Sequence, residues 1–219
     1  MTTKKRAKTV QHAPIGTVTV TYMLNSTPPV GHEPGKALRH ATVPEETWNR
    51  AIHRAAHVVA YLRLGLPCSR VSILPSTCSK GVTSTKYYPG YDFDLLDGRQ
   101  VDGHLVALFA GMIVSHALDQ SEDLCSILGD DPVVVGCMLA VTSSSAKELH
   151  SRADKVVMDN LDLIVQLAIR LCLYGTQDAR ELALLMAATD GDEHASYQLQ
   201  CLDDSRSLEG ATSAAKESQ

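Results

Sequence analysis

His53 and His57 stand four residues apart in the stretch Ala51-Ile52-His53-Arg54-Ala55-Ala56-His57-Val58-Val59-Ala60-Tyr61-Leu62. On a helix that spacing stacks two imidazoles on one face, one turn apart. It is how an H-E-x-x-H motif offers two nitrogens to a single zinc ion. Here the residue after the first histidine is Arg54, where zinc hydrolysis needs a glutamate to take a proton from bound water. A guanidinium stays protonated at any physiological pH and cannot accept that proton. Losing a positioned general base typically costs ~10²–10⁴-fold in rate. The pattern is that of a hydrolytic metal site with its base removed. The competing reading is a pair of histidines hydrogen-bonded inside a core. What favours a metal is the apolar helix around them, because unpaired buried polar groups cost ~1–3 kcal/mol each and a shared ion satisfies both.

The elements that would position this pair follow from local signals. Thr42-Val43-Pro44-Glu45 reads as a capping box that opens the histidine helix, and Gly65 with Pro67 closes it. Trp48, Ile52, Ala55, Ala56, Val59, Leu62 and Leu66 form one apolar arc, with His53, His57, Ala60 and Leu64 beside it, so the helix is largely buried. Arg70–Leu74 reads as a strand, with a second short one around 81–85. Residues 87–98 are loop-like, and the acidic Asp92, Asp94 and Asp97 there read as solvated. Helices are expected over 102–118, with Gly111 marking close packing, and from Pro132 to about Ala140. One long amphipathic helix follows over 146–174, then a short one over 176–188 with Thr176 as its cap.

Composition narrows the class. Of 219 residues, 44% are hydrophobic and 21% charged, ordinary values for a globular domain, and only 5% are aromatic, so the core rests on Leu, Val, Ile and Ala. A net charge of −5 argues against a general nucleic-acid-binding role. The cluster Lys4, Lys5, Arg6 and Lys8 reads as a solvated arm. Six cysteines without a C-x-x-C pair suggest reduced, mostly buried thiols in a cytoplasmic protein. No uninterrupted apolar run of ~18 residues predicts a membrane span, and Gly31–Lys36 falls short of a phosphate loop.

Taken together, these segments resemble a known family. Residues 51–62 are similar to the zinc helix of FtsH-type metalloproteases, where H-E-A-G-H-A-V-V-A is usual. Pro67-Cys68-Ser69-Arg70-Val71-Ser72-Ile73-Leu74-Pro75 looks like that family's P-x-x-K-V-T-I-I-P strand, and Gly81-Val82-Thr83 falls where its G-x-T follows. Leu105–Gly111 matches the helix that normally continues G-R-x-A-E, although Met112 to His116 lack its Arg and Glu. Leu128-Gly129-Asp130-Asp131 sits where an N-D at a helix head supplies the third zinc ligand. The resemblance is collinear over about 44–190 and implies zinc held by His53, His57 and Asp131, with Asp130 as the competing third ligand. An aspartate at 131 can equally cap the helix that follows.

The expectation is a mainly α, FtsH-type peptidase-like helical domain with a small β element near its start. It spans 44–190, after a flexible extension over 1–43 with a candidate strand at 17–23, and before a disordered tail over 191–219. The resemblance implies a stand-alone, cytoplasmic zinc metallopeptidase domain, proteolytically impaired by Arg54 and lacking an ATPase domain, that acts by binding or regulation. Its partner would be a peptide or protein, a related protease or a second copy of itself. Two alternatives stay open: an active zinc peptidase with an unidentified base, and a metal-free helical interaction module.

Overall fold

A computed structural model describes residues 11–12, 17–23, 38–74, 76–77, 83–84, 87–88, 97–117 and 132–217. The linker expected at 25–36 and the acidic residues Asp92 and Asp94 lie outside them. The described residues are mainly helical, as expected. Strands β1 (Gln11–His12), β2 (Thr17–Met23) and β3 (Leu38–Pro44) form an antiparallel sheet ahead of helix α1 (Glu45–Arg63). Strand β4 (Arg70–Ser72) lies between β7 (Tyr87–Tyr88) and β8 (Thr176–Asp178), while β5 (Ser76–Thr77) pairs with β6 (Thr83–Ser84). The remaining helices are α2 (Gly98–Ala117), α3 (Pro132–Val141), α4 (Ala146–Asp159), α5 (Leu161–Tyr174), α6 (Ala179–Thr189) and α7 (Glu193–Glu217).

Helix α1 is the centre of the packing, with α2 and α5 against it and α4 against α2. Every residue from Ala51 through Tyr61 is buried, as a helix apolar on nearly all sides requires. It ends as expected at Gly65, whose φ of 71° is the left-handed conformation a Schellman closure needs. Gly65 N donates to Leu62 O and Leu66 N to Tyr61 O, which satisfies the last carbonyls. Arg63 then fastens this end of α1 with a bidentate pair to Asp190 and a 2.6 Å bond to Asn160. Asp102 fastens α2 to the α3–α4 junction by accepting from Ser144, Thr142 and Arg152.

Four local expectations are revised. Thr42 does not cap α1; its backbone pairs with Thr19 in the β2–β3 ladder, and the strand runs to Pro44, directly before the helix. The long helix expected over 146–174 breaks at Asn160, whose φ of −126° and ψ of 23° are not helical. There Asn160 N bonds Val157 O, the side-chain amide donates to Val156 O, and its Oδ1 receives Arg63. Thr176 belongs to β8, and the cap of α6 is Asp178, which forms a capping box with Glu181. The polar stretch expected as a disordered tail continues as α7. It docks through a buried Arg170–Asp203 pair at 2.8 Å and through Arg206, which meets Glu181 and lies over the Tyr174 ring. Among the described cysteines, Cys68 is buried and Cys172 half-buried, whereas Cys137 and Cys201 are exposed.

Candidate metal centre

Helices α1 and α2 run side by side in opposite directions, and a row of polar groups closes the seam between them. From α1 come His53, His57 and Tyr61 at one-turn intervals; from α2 come Ser115, the carbonyls of Gly111 and Ala107, and His104. His57 is fully buried, and His53 and Arg54 are 7% and 6% exposed. Tyr61 hydroxyl meets His104 Nδ1, so His104 is a satisfied interior residue, whereas His116 is exposed.

The geometry of the pair is narrow. His57 Nδ1 lies 2.7 Å from Ala107 O, and because a carbonyl can only accept, that nitrogen carries the ring proton. Its Nε2 therefore presents a lone pair, and it meets His53 Nε2 at 2.8 Å. His53 Nδ1 faces two oxygens, Ser115 Oγ at 2.8 Å and Gly111 O at 3.1 Å. The rings cross nearly at right angles, 4.4 Å between centroids. This crossing is accommodated by a glycine. A Cβ at position 111 would stand 2.5 Å from His57 Nε2 and Cε1 and 3.0 Å from His53 Cε1.

The electrostatics hold His57 neutral. Burial pushes the His57 imidazole well below its usual 6.5, and the neighbouring His53 and Arg54 push the same way. A neutral imidazole whose Nδ1–H is fixed by a backbone carbonyl is the form in which histidine ligates metals. Two nitrogens of a tetrahedral zinc site, each 2.0–2.1 Å from the ion, lie about 3.3 Å apart. The pair thus fits zinc after the two Nε2 atoms part by roughly half an ångström, a small rotation of each ring.

The structure brings together His53, His57 and Arg54 as the sequence implies. The third ligand expected at Asp131, and its competitor Asp130, lie outside the described residues. Among the described residues, no cluster of three or more histidine, cysteine or carboxylate side chains forms a metal cage. Asp97, part of the acidic run, accepts from the backbone of Arg99 and Gln100 at the start of α2. Sequence reasoning assigned no role to Ser115, and noted only that Met112 to His116 lack the Arg and Glu of the family they resemble. Only the antiparallel register of α1 and α2 shows that Ser115 faces His53. Gly111 carried a signal of close packing, but the packed group is a pair of imidazoles.

Gly111→Ala forces a methyl group into rings held by carbonyls of the same helix. Unfolding in urea should show a loss of about 1–3 kcal/mol, and the variant should take up no zinc. Gly103→Ala is the control, since its methyl group meets the flexible Leu66 side chain, whose end lies at 2.5 Å, and Leu64 at 3.9 Å. Equal stability of the two variants would contradict this packing. The lowered basicity of His57 has a definite sign in solution. Folded, the ring stays neutral; unfolded, it gains a proton as the pH passes its usual 6.5. Stability is therefore complete above that value and falls on acidification towards the folded pKa, by up to about 1.4 kcal/mol per pH unit. Denaturation midpoints between pH 7.5 and 5.5 should show this fall, reduced in His57→Leu; midpoints independent of pH would contradict it.

No protein-family model matches the chain, and no curated protein matches it.

Proposed function

We propose that the chain carries an FtsH-like zinc metallopeptidase domain that is proteolytically impaired and acts by binding or regulation. The observation that carries this reading is the convergence of His53 and His57 Nε2 at 2.8 Å, with His57 Nδ1 on a backbone carbonyl and His53 Nδ1 beside one. His53 and His57 would hold the ion, with Asp131 completing the set. Zinc, when bound, supplies a Lewis acid and, where a coordination position is open, an acidified water.

Two features favour impairment. Arg54 occupies the position of the base, and its fixed charge lies within the buried neighbourhood of His57. Both histidines are also shut away, and closed zinc sites are structural whereas catalytic ones keep an open position. The partner would then be a peptide or protein held on the surface of the domain, a related protease, or a second copy. Among the described residues no helix is long and apolar enough to cross a membrane. A cytoplasmic setting belongs to the proposal and rests on the unbridged Cys68, Cys137, Cys172 and Cys201.

One observation favours a metal-free interaction module instead: 2.8 Å is also the length of a direct hydrogen bond between the imidazoles. Zinc per chain, measured by mass spectrometry on wild type and His57→Ala, separates the readings. Near one ion in the wild type and near none in the variant is expected; none in either overturns the zinc reading. With zinc established, Arg54→Glu should raise hydrolysis of an unfolded protein substrate, whereas a fall would give Arg54 a catalytic task of its own.

A further inference from the structure

Helix α7 is seated by charges more than by apolar surface. Between Glu193 and Arg206 its buried residues are Ala195 and Asp203, with Leu199 and Leu202 half-buried, while Tyr197 and Cys201 stand exposed. So small an apolar contact contributes little burial free energy. The anchors are two arginines. Arg170 of α5 donates from Nη1 to Asp203 and from Nε to Gln177, both at 2.8 Å, and Arg206 pairs with Glu181 of α6. Both guanidinium groups lie over the Tyr174 ring, their Cζ atoms 5.3 and 4.6 Å from its centre.

Neither anchor is complete. Arg170 Nη2 and Arg206 Nη1 are buried without a hydrogen-bond partner. Arg63, which fastens the end of α1, has no such gap: its Nε reaches Asn160, and its Nη1 and Nη2 both reach Asp190. Water would satisfy the two empty nitrogens once α7 lifted away, so the seated state forgoes hydrogen bonds that the open state makes. A buried ion pair is itself weak glue, because desolvation offsets much of its attraction.

The junction between α6 and α7 has the parts of a hinge. On one side Asp190 is held to Arg63 by bonds of 2.5 and 2.7 Å. On the other, Asp192 caps α7, its carboxylate accepting from His194 N and Ala195 N. Gly191 alone lies between them, with a φ of 101° that glycine adopts freely and open space where a Cβ would stand. One backbone bond from the cap crosses it, Asp192 N to Ala187 O at 2.9 Å. We propose that α7 is a releasable strap that swings about Gly191 as a capped helix, with Arg170 and Arg206 as its catch. Release uncovers Arg170 and Glu181, which are buried while α7 is seated, so the surface offered to a partner differs between the two states. The device stands on the contacts of α7 with α5 and α6 and needs no metal.

Thiol labelling of the full-length chain carrying Ala195→Cys, with modified positions identified by peptide mass spectrometry, tests the strap. Ala195 is buried in the seated helix, and the native thiol of Cys68, also buried, reports opening of the rest of the domain. In native buffer position 195 should react about tenfold or more faster than Cys68, because local opening costs less than global unfolding. Adding Asp203→Ala, which strands the Arg170 charge, should speed labelling at 195 by about tenfold or more and leave Cys68 unchanged. Adding Arg206→Ala instead removes a part-exposed side chain and should speed labelling at 195 about threefold. Equal rates at 195 and Cys68 would mean that α7 lifts only when the whole fold does, and would overturn the strap. So would a catch variant that raises both rates alike, or neither.

Discussion

Two imidazoles meeting nitrogen to nitrogen in a buried seam form the constraint around which α1 and α2 are arranged. The contact at 2.8 Å is stable only with something between the nitrogens, a proton or a metal ion. Each ring is held at its other nitrogen from α2, and the crossing of the rings is possible only because residue 111 has no side chain. The outer fastenings serve this seam. Arg63 fixes the end of α1 through Asn160 and Asp190, and Asp102 fixes the start of α2 through Ser144 and Arg152.

Arg54 gives the site its character. Burial keeps the His57 imidazole neutral, which suits a ligand, and the permanent cation of Arg54 adds to that effect, but a guanidinium cannot shuttle protons, which hydrolysis requires. Its charge also opposes a dication nearby. The arrangement is therefore better suited to holding an ion or a proton between two helices than to passing water through an open coordination position. Closure of the site points the same way.

What the sequence revealed was what local spacing encodes. His53 and His57 are neighbours by helical geometry alone, the burial of their helix follows from its apolar residues, and Gly65 signalled its own closure. Ser115 was not legible, because its meeting with His53 depends on how α2 slides along α1, and no pattern within either helix records that offset. The break at Asn160 was hidden because the amphipathic period runs unbroken across it, while the side chain that bonds Asn160 there, Arg63, lies far away in sequence. Helix α7 read as a tail because its anchors, Asp203 and Arg206, look like ordinary surface charges until Arg170, Glu181 and Tyr174 are seen beneath them. Thr42 carried a valid cap signal that lost to strand pairing with Thr19.

The central claim is that His53 and His57 converge to hold a metal ion. Crystals grown with zinc, measured on both sides of the zinc absorption edge, test it most directly. The account predicts one anomalous peak between the two Nε2 atoms, about 2.0–2.1 Å from each, with the nitrogens opened to about 3.3 Å. A pair still in direct contact, with no anomalous density between the rings, would contradict it.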